Sequence, residues 1–165
     1  MTDEFAAFVR QVQPDLHNLA LALAGGDVDE AKDLVQSALE RIWSRWGRST
    51  IEEPRAYART VVAREFATTR RRVRWRRESR QAQPPEVLVE DFAAASDQAV
   101  VLLGALARLP RRQREVVVLR YLEDLSVAEV AALLSCSEGA VKRSAHDGLR
   151  GLRAVVEQPM GKEVT

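Results

Sequence analysis

The chain has 165 residues, which suits one ordinary domain or two very small ones, and its 46% hydrophobic residues are ample for a buried core. Its longest apolar stretches reach only about half of the roughly 20 residues that a membrane span needs, and the amino terminus lacks a signal peptide's basic and apolar regions. We therefore expect a cytoplasmic protein without membrane insertion. Because Cys136 is the only cysteine, the chain cannot form an internal disulfide. Beside it there are only two histidines, so we expect no metal or other cofactor.

The formal net charge of +1 hides an uneven distribution along the chain. Residues 59–80 carry nine arginines against two glutamates, whereas residues 81–107 carry four acidic residues and no basic one. Such a basic block favours a polyanionic partner, because each phosphate contact releases condensed counterions. A solvated basic surface or a localisation signal is the alternative that the block alone leaves open.

The first two predicted helices follow from apolar residues at helical spacing. The first covers about residues 3–23, and Pro14 is expected to kink or split it. The second covers about residues 27–46, and its apolar stripe places Trp43 and Trp46 in the core.

The third predicted helix starts near Pro54, a favoured residue in a first helical turn, and runs into the arginine block. At 100° per residue one face is apolar and the opposite face is almost purely guanidinium. The arginines of that face are Arg59, Arg64, Arg70, Arg71, Arg74 and Arg77. Arg72 and Arg76 fall on the apolar side, so the helix is expected to fray or bend there.

Beyond the arginine block the pattern changes. Residues 78–96 combine two prolines with scattered acidic residues, which predicts an acidic linker. Four more helices are predicted at about residues 97–108, 111–122, 126–134 and 138–156, followed by a disordered tail at residues 158–165. We thus expect an all-α chain with two small helical domains, at residues 1–77 and 97–157.

The last two predicted helices have the pattern of a helix-turn-helix. Ser126 and Glu129 form a possible capping box, and a short Ser-Cys-Ser stretch separates the two helices. In a helix-turn-helix the second helix presents its N-terminal side chains to the DNA major groove. The residues placed for such contacts are Ser137, Glu138, Gly139, Lys142, Arg143 and His146. A plain helical hairpin remains the alternative.

Taken in order, these motifs resemble the extracytoplasmic-function (ECF) sigma factors of bacterial RNA polymerase, within the sigma-70 family. Asp33-Leu34-Val35-Gln36, followed by Ile42-Trp43, is similar to the region 2 helix that docks on the polymerase clamp. Residues 54–62 and the arginine block are similar to the segment that melts the promoter and reads its −10 element. Residues 106–121 with the helix-turn-helix resemble region 4, which reads the −35 element.

The resemblance implies a transcription initiation factor, without enzymatic activity, that binds core RNA polymerase and promoter DNA. It implies clamp contacts for Asp33, Gln36, Ser37 and Glu40, which periodicity alone assigns to a solvated face. It also implies −10 contacts for the arginine face, where Trp75 either stacks on a base or packs on its own domain. An anti-sigma factor is a further candidate partner by resemblance alone.

Some residues depart from the family pattern. Arg64 stands where many members carry asparagine, and Asp147 stands where an arginine is common. A carboxylate repels phosphate and accepts a hydrogen bond from the cytosine amino group, so we expect an unusual or weaker −35 preference. Ser37 replaces a common acidic residue in the clamp-docking helix, and Lys32 adds a charge beside it.

Other classes of protein fit the residues less well. A stand-alone helix-turn-helix regulator is the main alternative to a sigma factor. A pure protein-interaction module would explain the helices but not an arginine face together with a helix-turn-helix. An enzyme has little support, since no glycine-rich phosphate loop, metal set or nucleophile triad is visible in the sequence.

Overall fold

The computed structural model describes residues 1–48, 50–76 and 96–157, together with their side chains except those of residues 73–76. The predicted tail and all of the predicted linker except Ser96 lie outside these residues. Within the described ranges the regular structure is entirely helical, which confirms the all-α prediction. Among the described helices, none combines the length and the hydropathy that a membrane span requires.

Three helices form the first half of the chain, and their ends carry local stop and start signals. They are α1 (Thr2–Ala24), α2 (Val28–Arg45) and α3 (Pro54–Arg76). Helix α1 is not split at Pro14, and it ends where Gly25 takes a left-handed φ of 66°, which glycine adopts at little cost. Asp27 then caps α2, because its carboxylate accepts a hydrogen bond from the Glu30 amide at 2.9 Å.

The apolar stripes of these three helices meet in one core. Leu16, Ile42 and Phe66, one from each helix, are at most 1% exposed. Trp46 packs against this core, and its ring centroid lies 4.8 Å from that of Phe8. The prediction for Trp43 was wrong, since this side chain contacts Phe5 at the edge of the core and remains 43% exposed.

The second half of the chain begins at Ser96, whose side chain caps the next helix. Its helices are α4 (Asp97–Ala107), α5 (Arg111–Val117), α6 (Val127–Leu134) and α7 (Glu138–Glu157). Helix α5 continues into a π-helical turn at Val118–Leu122, so the helix predicted at 111–122 has two hydrogen-bonding patterns. Val116, Leu119 and Val130 are completely buried in this half.

The two halves pack against each other. Their buried apolar side chains belong to one continuous cluster, with α1 against α4 and α5, and α3 against α6. The Arg114 guanidinium of α5 donates to the Leu23 carbonyl near the end of α1, at 3.4 Å. Burial lowers the pKa of Arg114 from its ordinary value. A cation is favoured at this position, because the C-terminus of a helix carries partial negative charge.

Candidate nucleic-acid and polymerase interfaces

The helix-turn-helix is formed by α6, a three-residue turn and α7. The predicted capping box is present at the start of α6, where the Ser126 hydroxyl accepts from the Glu129 amide at 3.1 Å. In return, the Ser126 amide donates to the Glu129 carboxylate at 2.6 Å, and this bond lowers the pKa of Glu129. Ser135 ends α6 in a left-handed conformation with a φ of 54°. After this turn α7 starts at Glu138, three residues beyond Ser135.

Helix α7 presents the predicted −35 residues on its exposed side. Val141, Ala145 and Gly148 are buried at positions three or four residues apart, which orients the helix. The side that faces solvent carries Glu138, Gly139, Lys142, Arg143, His146 and Asp147. The hydroxyl of Ser137 accepts from the Ala140 amide at 3.1 Å, so this predicted DNA contact also caps the helix.

Helix α3 has the predicted two faces over most of its described side chains, but Arg72, which the helical spacing places on the apolar side, is exposed. Ala58, Val62 and Phe66 are at most 1% exposed, whereas Arg64 and Arg71 are exposed on the other side. Arg59, Arg64 and Arg71 line one groove of about 830 Å³ between α3 and α6. The backbone of α3 continues to Arg76. The side chains of Arg74 and Trp75 and the whole of Arg77 lie outside the described part of the chain.

Two arginines of this face form ion pairs with the second half of the chain. The Arg59 guanidinium holds the Glu123 carboxylate through Nε, at 3.1 and 3.2 Å from its two oxygens, and through Nη2. Arg70 donates from Nε and Nη2 to the Glu115 carboxylate at 2.9 and 2.7 Å. The Glu115 and Glu123 side chains are only 3% and 7% exposed.

Glu115 lies at the centre of a group of arginines. Besides Arg70, it faces Arg111 and Arg112 of its own helix at 3.5 Å. Burial raises the pKa of Glu115, and the charges of the neighbouring arginines oppose that rise. A buried carboxylate of this kind depends on its partners, because without them its charge would be both desolvated and unpaired.

Arg71 is the third arginine of this face that contacts the second half of the chain. Its Nη2 donates to the carbonyl oxygens of Leu133 and Ala132, at 3.1 and 3.5 Å. These carbonyls belong to the last turn of α6, where a helix has unpaired acceptors and partial negative charge. Sequence reasoning missed Glu115, Glu123 and these carbonyls as partners, since 45 to 64 residues separate them from the arginines and no local pattern links them.

Helix α2 carries the four residues predicted for the polymerase clamp. Asp33, Gln36 and Glu40 are exposed and Ser37 is half-buried, all at helical spacing opposite the core side of α2. The Gln36 amide donates to the Glu40 carboxylate at 3.0 Å. The structure therefore brings these side chains together on one polar, acidic surface.

Comparisons with known proteins agree with this architecture. Models of sigma-70 region 2 and of sigma-70 region 4 match residues 8–77 and 99–152. The RNA polymerase sigma-E factor of Streptomyces coelicolor is 39% identical over 91% of this chain and 84% of its own length. The ECF RNA polymerase sigma factor SigL of Mycobacterium tuberculosis is 31% identical over 87% of this chain and 83% of its own.

A solved structure supports the same fold. The sigma factor RpoE from Bartonella quintana, solved in complex with the anti-sigma factor NepR, superposes with a TM-score of 0.57 at 23% identity. The match covers 94% of this chain and 98% of the RpoE chain.

The chain belongs to the ECF sigma factors of the sigma-70 family. It is a transcription initiation factor that binds RNA polymerase and directs it to promoters through the −10 and −35 elements. The first half of the chain is its region 2 and the second half its region 4.

Proposed function

We propose that α7 reads the −35 element through the exposed residues of its first three turns. The observation that carries this assignment is the orientation of α7, since burial of Val141 and Ala145 leaves Lys142, Arg143 and His146 facing solvent. Recognition helices contact bases with their N-terminal residues, and basic side chains there also bind phosphates. Ser137, Glu138 and Gly139 lie at the end of α7 that enters the groove.

The arginine face of α3 is assigned to the −10 region. Melted DNA is a flexible polyanion, and guanidinium groups spaced along one helix can track its backbone. The assigned residues are Arg59, Arg64, Arg70, Arg71, Arg74, Trp75 and Arg77. Trp75 is proposed to stack on an unpaired base.

The polar surface of α2 is assigned to the clamp of core RNA polymerase. Asp33, Gln36, Ser37 and Glu40 share this surface, and the neighbouring Trp43 adds exposed aromatic area at an edge of the same helix. Aromatic residues are enriched in protein interfaces, which supports the placement of a partner on this side of α2.

The protein acts in the cytoplasm, where the polymerase is, and has no enzymatic activity of its own. An anti-sigma factor holds it inactive, by analogy with the Bartonella quintana sigma factor, which was solved with such a partner.

The clamp assignment is tested by native gel electrophoresis of the full chain with core RNA polymerase. The wild-type chain should shift the enzyme into a stable complex, and Glu40→Ala should weaken that complex. Glu157→Ala, which removes an exposed carboxylate at the end of α7, should leave it unchanged and serves as the matched control. Equal binding by Glu40→Ala and the wild type would refute the assignment, and a wild-type chain without a shift would refute polymerase binding.

A further inference from the structure

Asp147 is an exposed carboxylate on the side of α7 that is assigned to the −35 element. It lies in the third turn of the helix Glu138–Glu157. Arg143 lies one turn before it and Arg150 one turn after it, and both are exposed. The adjacent Gly148 is buried against α5, which fixes the direction of this turn. Asp147 is therefore held between two cations on the surface that faces DNA.

No local structural role accounts for this carboxylate. Aspartate is a poor helix former away from the first turn, because its side chain competes for backbone hydrogen bonds. Within the described residues, Asp147 accepts no hydrogen bond and forms no ion pair. Glu138 on the same surface differs, since it lies in the first turn, where the helix dipole favours negative charge. Asp147 thus lowers helix stability without a compensating contact in the described part of the chain.

The hydrogen-bonding chemistry of a carboxylate selects among the four bases. An ionised carboxylate only accepts hydrogen bonds, so it is complementary to a base edge that only donates them. In the major groove cytosine presents its N4 amino group, whereas guanine presents the acceptors N7 and O6 and thymine presents O4. Adenine presents its N6 amino group beside the N7 acceptor, which repels a carboxylate oxygen. Cytosine is therefore the base that matches Asp147.

The cations beside Asp147 make its approach to DNA feasible. Phosphates repel a carboxylate, and that repulsion has to be offset by positive charge nearby. Side chains three or four residues apart on a helix are neighbours, so the guanidinium groups of Arg143 and Arg150 flank the carboxylate. Within the described residues neither guanidinium is held in an ion pair. Their charges are thus free to offset the repulsion between Asp147 and DNA.

We propose that Asp147 is a specificity-determining residue of −35 recognition and that it selects cytosine through the N4 amino group. The proposal rests on the assignment of α7 to the −35 element. One carboxylate contacts one base, so the cytosine preference is confined to a single position of the element. Asparagine has the same shape but both donates and accepts, and it therefore matches the N6 and N7 atoms of adenine. Asp147→Asn should convert the cytosine preference into an adenine preference at the same position.

The test is transcription in vitro by core RNA polymerase with the full chain, on a template library randomised across the −35 and −10 windows. Sequencing of the transcribed templates should show one −35 position at which the wild type enriches cytosine roughly tenfold. Asp147→Asn should enrich adenine on the same strand at that position, and Asp147→Ala should enrich no base there. The other −35 positions should keep the wild-type pattern. Circular dichroism checks that each variant keeps its helices.

Two matched variants serve as controls. Glu157→Gln removes the same charge at the end of the same helix, and Glu138→Gln removes the other carboxylate near its start. Both should keep the cytosine preference. An Asp147→Asn pattern equal to the wild type at every −35 position would overturn the proposal while leaving the assignment of α7 intact. A wild type that initiates without any −35 enrichment would contradict that assignment as well.

A second measurement separates base recognition from phosphate repulsion. Fluorescence anisotropy compares holoenzyme binding to two labelled promoter duplexes that differ only at the selected position, as C·G or A·T. The wild type should prefer C·G roughly tenfold at low and at high salt, because both duplexes carry the same phosphates. Asp147→Asn should prefer A·T. An equal gain of affinity for both duplexes in Asp147→Asn, shrinking as salt is added, would overturn the proposal, since the carboxylate would then act on phosphates alone.

Discussion

Gly104 and Gly148 are both helical glycines, but their surroundings differ. A Cβ added at Gly148 would lie 2.6 Å from Cγ2 of Val117 and 3.2 Å from the Gln113 carbonyl oxygen. At Gly104, no atom of the described residues would lie within 4 Å of it, apart from its chain neighbours and the backbone of its own helix. Gly148 thus permits the close contact between α7 and α5 that orients the recognition helix, whereas Gly104 has no such role.

The two alanine substitutions should therefore change stability in opposite directions. Gly148→Ala should lower the free energy of unfolding by about 1–2 kcal/mol, since overpacking outweighs the gain in helix propensity. Gly104→Ala should raise it by roughly 0.5–1 kcal/mol, because alanine favours the helix over glycine. Urea unfolding of the full chain measures both, and a Gly148→Ala variant as stable as Gly104→Ala would contradict the close packing.

Glu129 gives the helix-turn-helix a specific pH response. Its pKa is lowered by the hydrogen bond from the Ser126 amide, so its stabilising effect is present above the ordinary glutamate pKa and is lost as the pH falls through the lowered value. Glu129→Gln keeps an acceptor but removes the charge. The stability difference between wild type and variant should shrink as the pH falls, as measured by urea unfolding at several pH values. A difference that is constant with pH would contradict this role.

At the residue scale the sequence predicts what is local. The capping box at Ser126 follows from residue types three apart, and the wheel of α3 separates Phe66 from Arg64 correctly. The paired carboxylates could not be predicted, because ion pairs between distant segments depend on how the two halves pack. The exposure of Trp43 has a similar origin, since helical spacing gives the side of α2 on which Trp43 lies but not where the neighbouring helix α1 begins.

At the element scale, α7 should behave as a DNA-binding helix whose contacts are concentrated near its start. Lys142→Ala and Arg143→Ala should weaken binding of region 4 to duplex DNA and reduce the slope of log affinity against log salt by roughly 0.9 for each phosphate that is no longer neutralised. Arg153→Ala removes the same charge about three turns later on α7 and should have a smaller effect. Anisotropy titrations of the full chain with a labelled 30-base-pair duplex across a salt series provide the measurement.

If the salt slope of the Lys142→Ala/Arg143→Ala double variant equals that of the wild type, neither residue neutralises a phosphate in the interface. Weakening by Arg153→Ala as large as that of the double variant would place the DNA-binding surface elsewhere on α7. Asp147 also lies exposed on this helix, so its expected influence on −35 preference is testable in the same titrations.

Helix positions were largely predictable because their ends carry chemical signals. Asp27, Ser96 and Ser126 accept hydrogen bonds from the first turns of their helices, and Gly25 supplies the left-handed end of α1. The π-helical turn after α5 was not predictable, since its apolar spacing resembles that of an α-helix over so few residues. The predicted domain boundaries remain predictions, because the proposed linker lies almost wholly outside the described residues.

At the scale of the whole molecule, the charge distribution along the sequence predicts a nucleic-acid partner. In the folded chain, some of the same arginines also form ion pairs between the two regions. Arginines of region 2 meet Glu115 and Glu123 of region 4, so a near-neutral chain holds complementary surfaces within itself. Two small domains that each read a short element gain affinity when the polymerase holds them at fixed spacing.

If this chain directs polymerase to promoters through two separate surfaces, transcription in vitro should depend on the chain and on both promoter elements. Core RNA polymerase and the full chain are incubated with a template library randomised across the −35 and −10 windows, and the transcribed templates are sequenced. We predict initiation only with the chain present and enrichment in both windows. Lys142→Ala/Arg143→Ala should lose enrichment at −35 while keeping it at −10. Failure to initiate on any template would contradict promoter recognition by this chain, and −35 enrichment that is the same in the variant would contradict the role of α7.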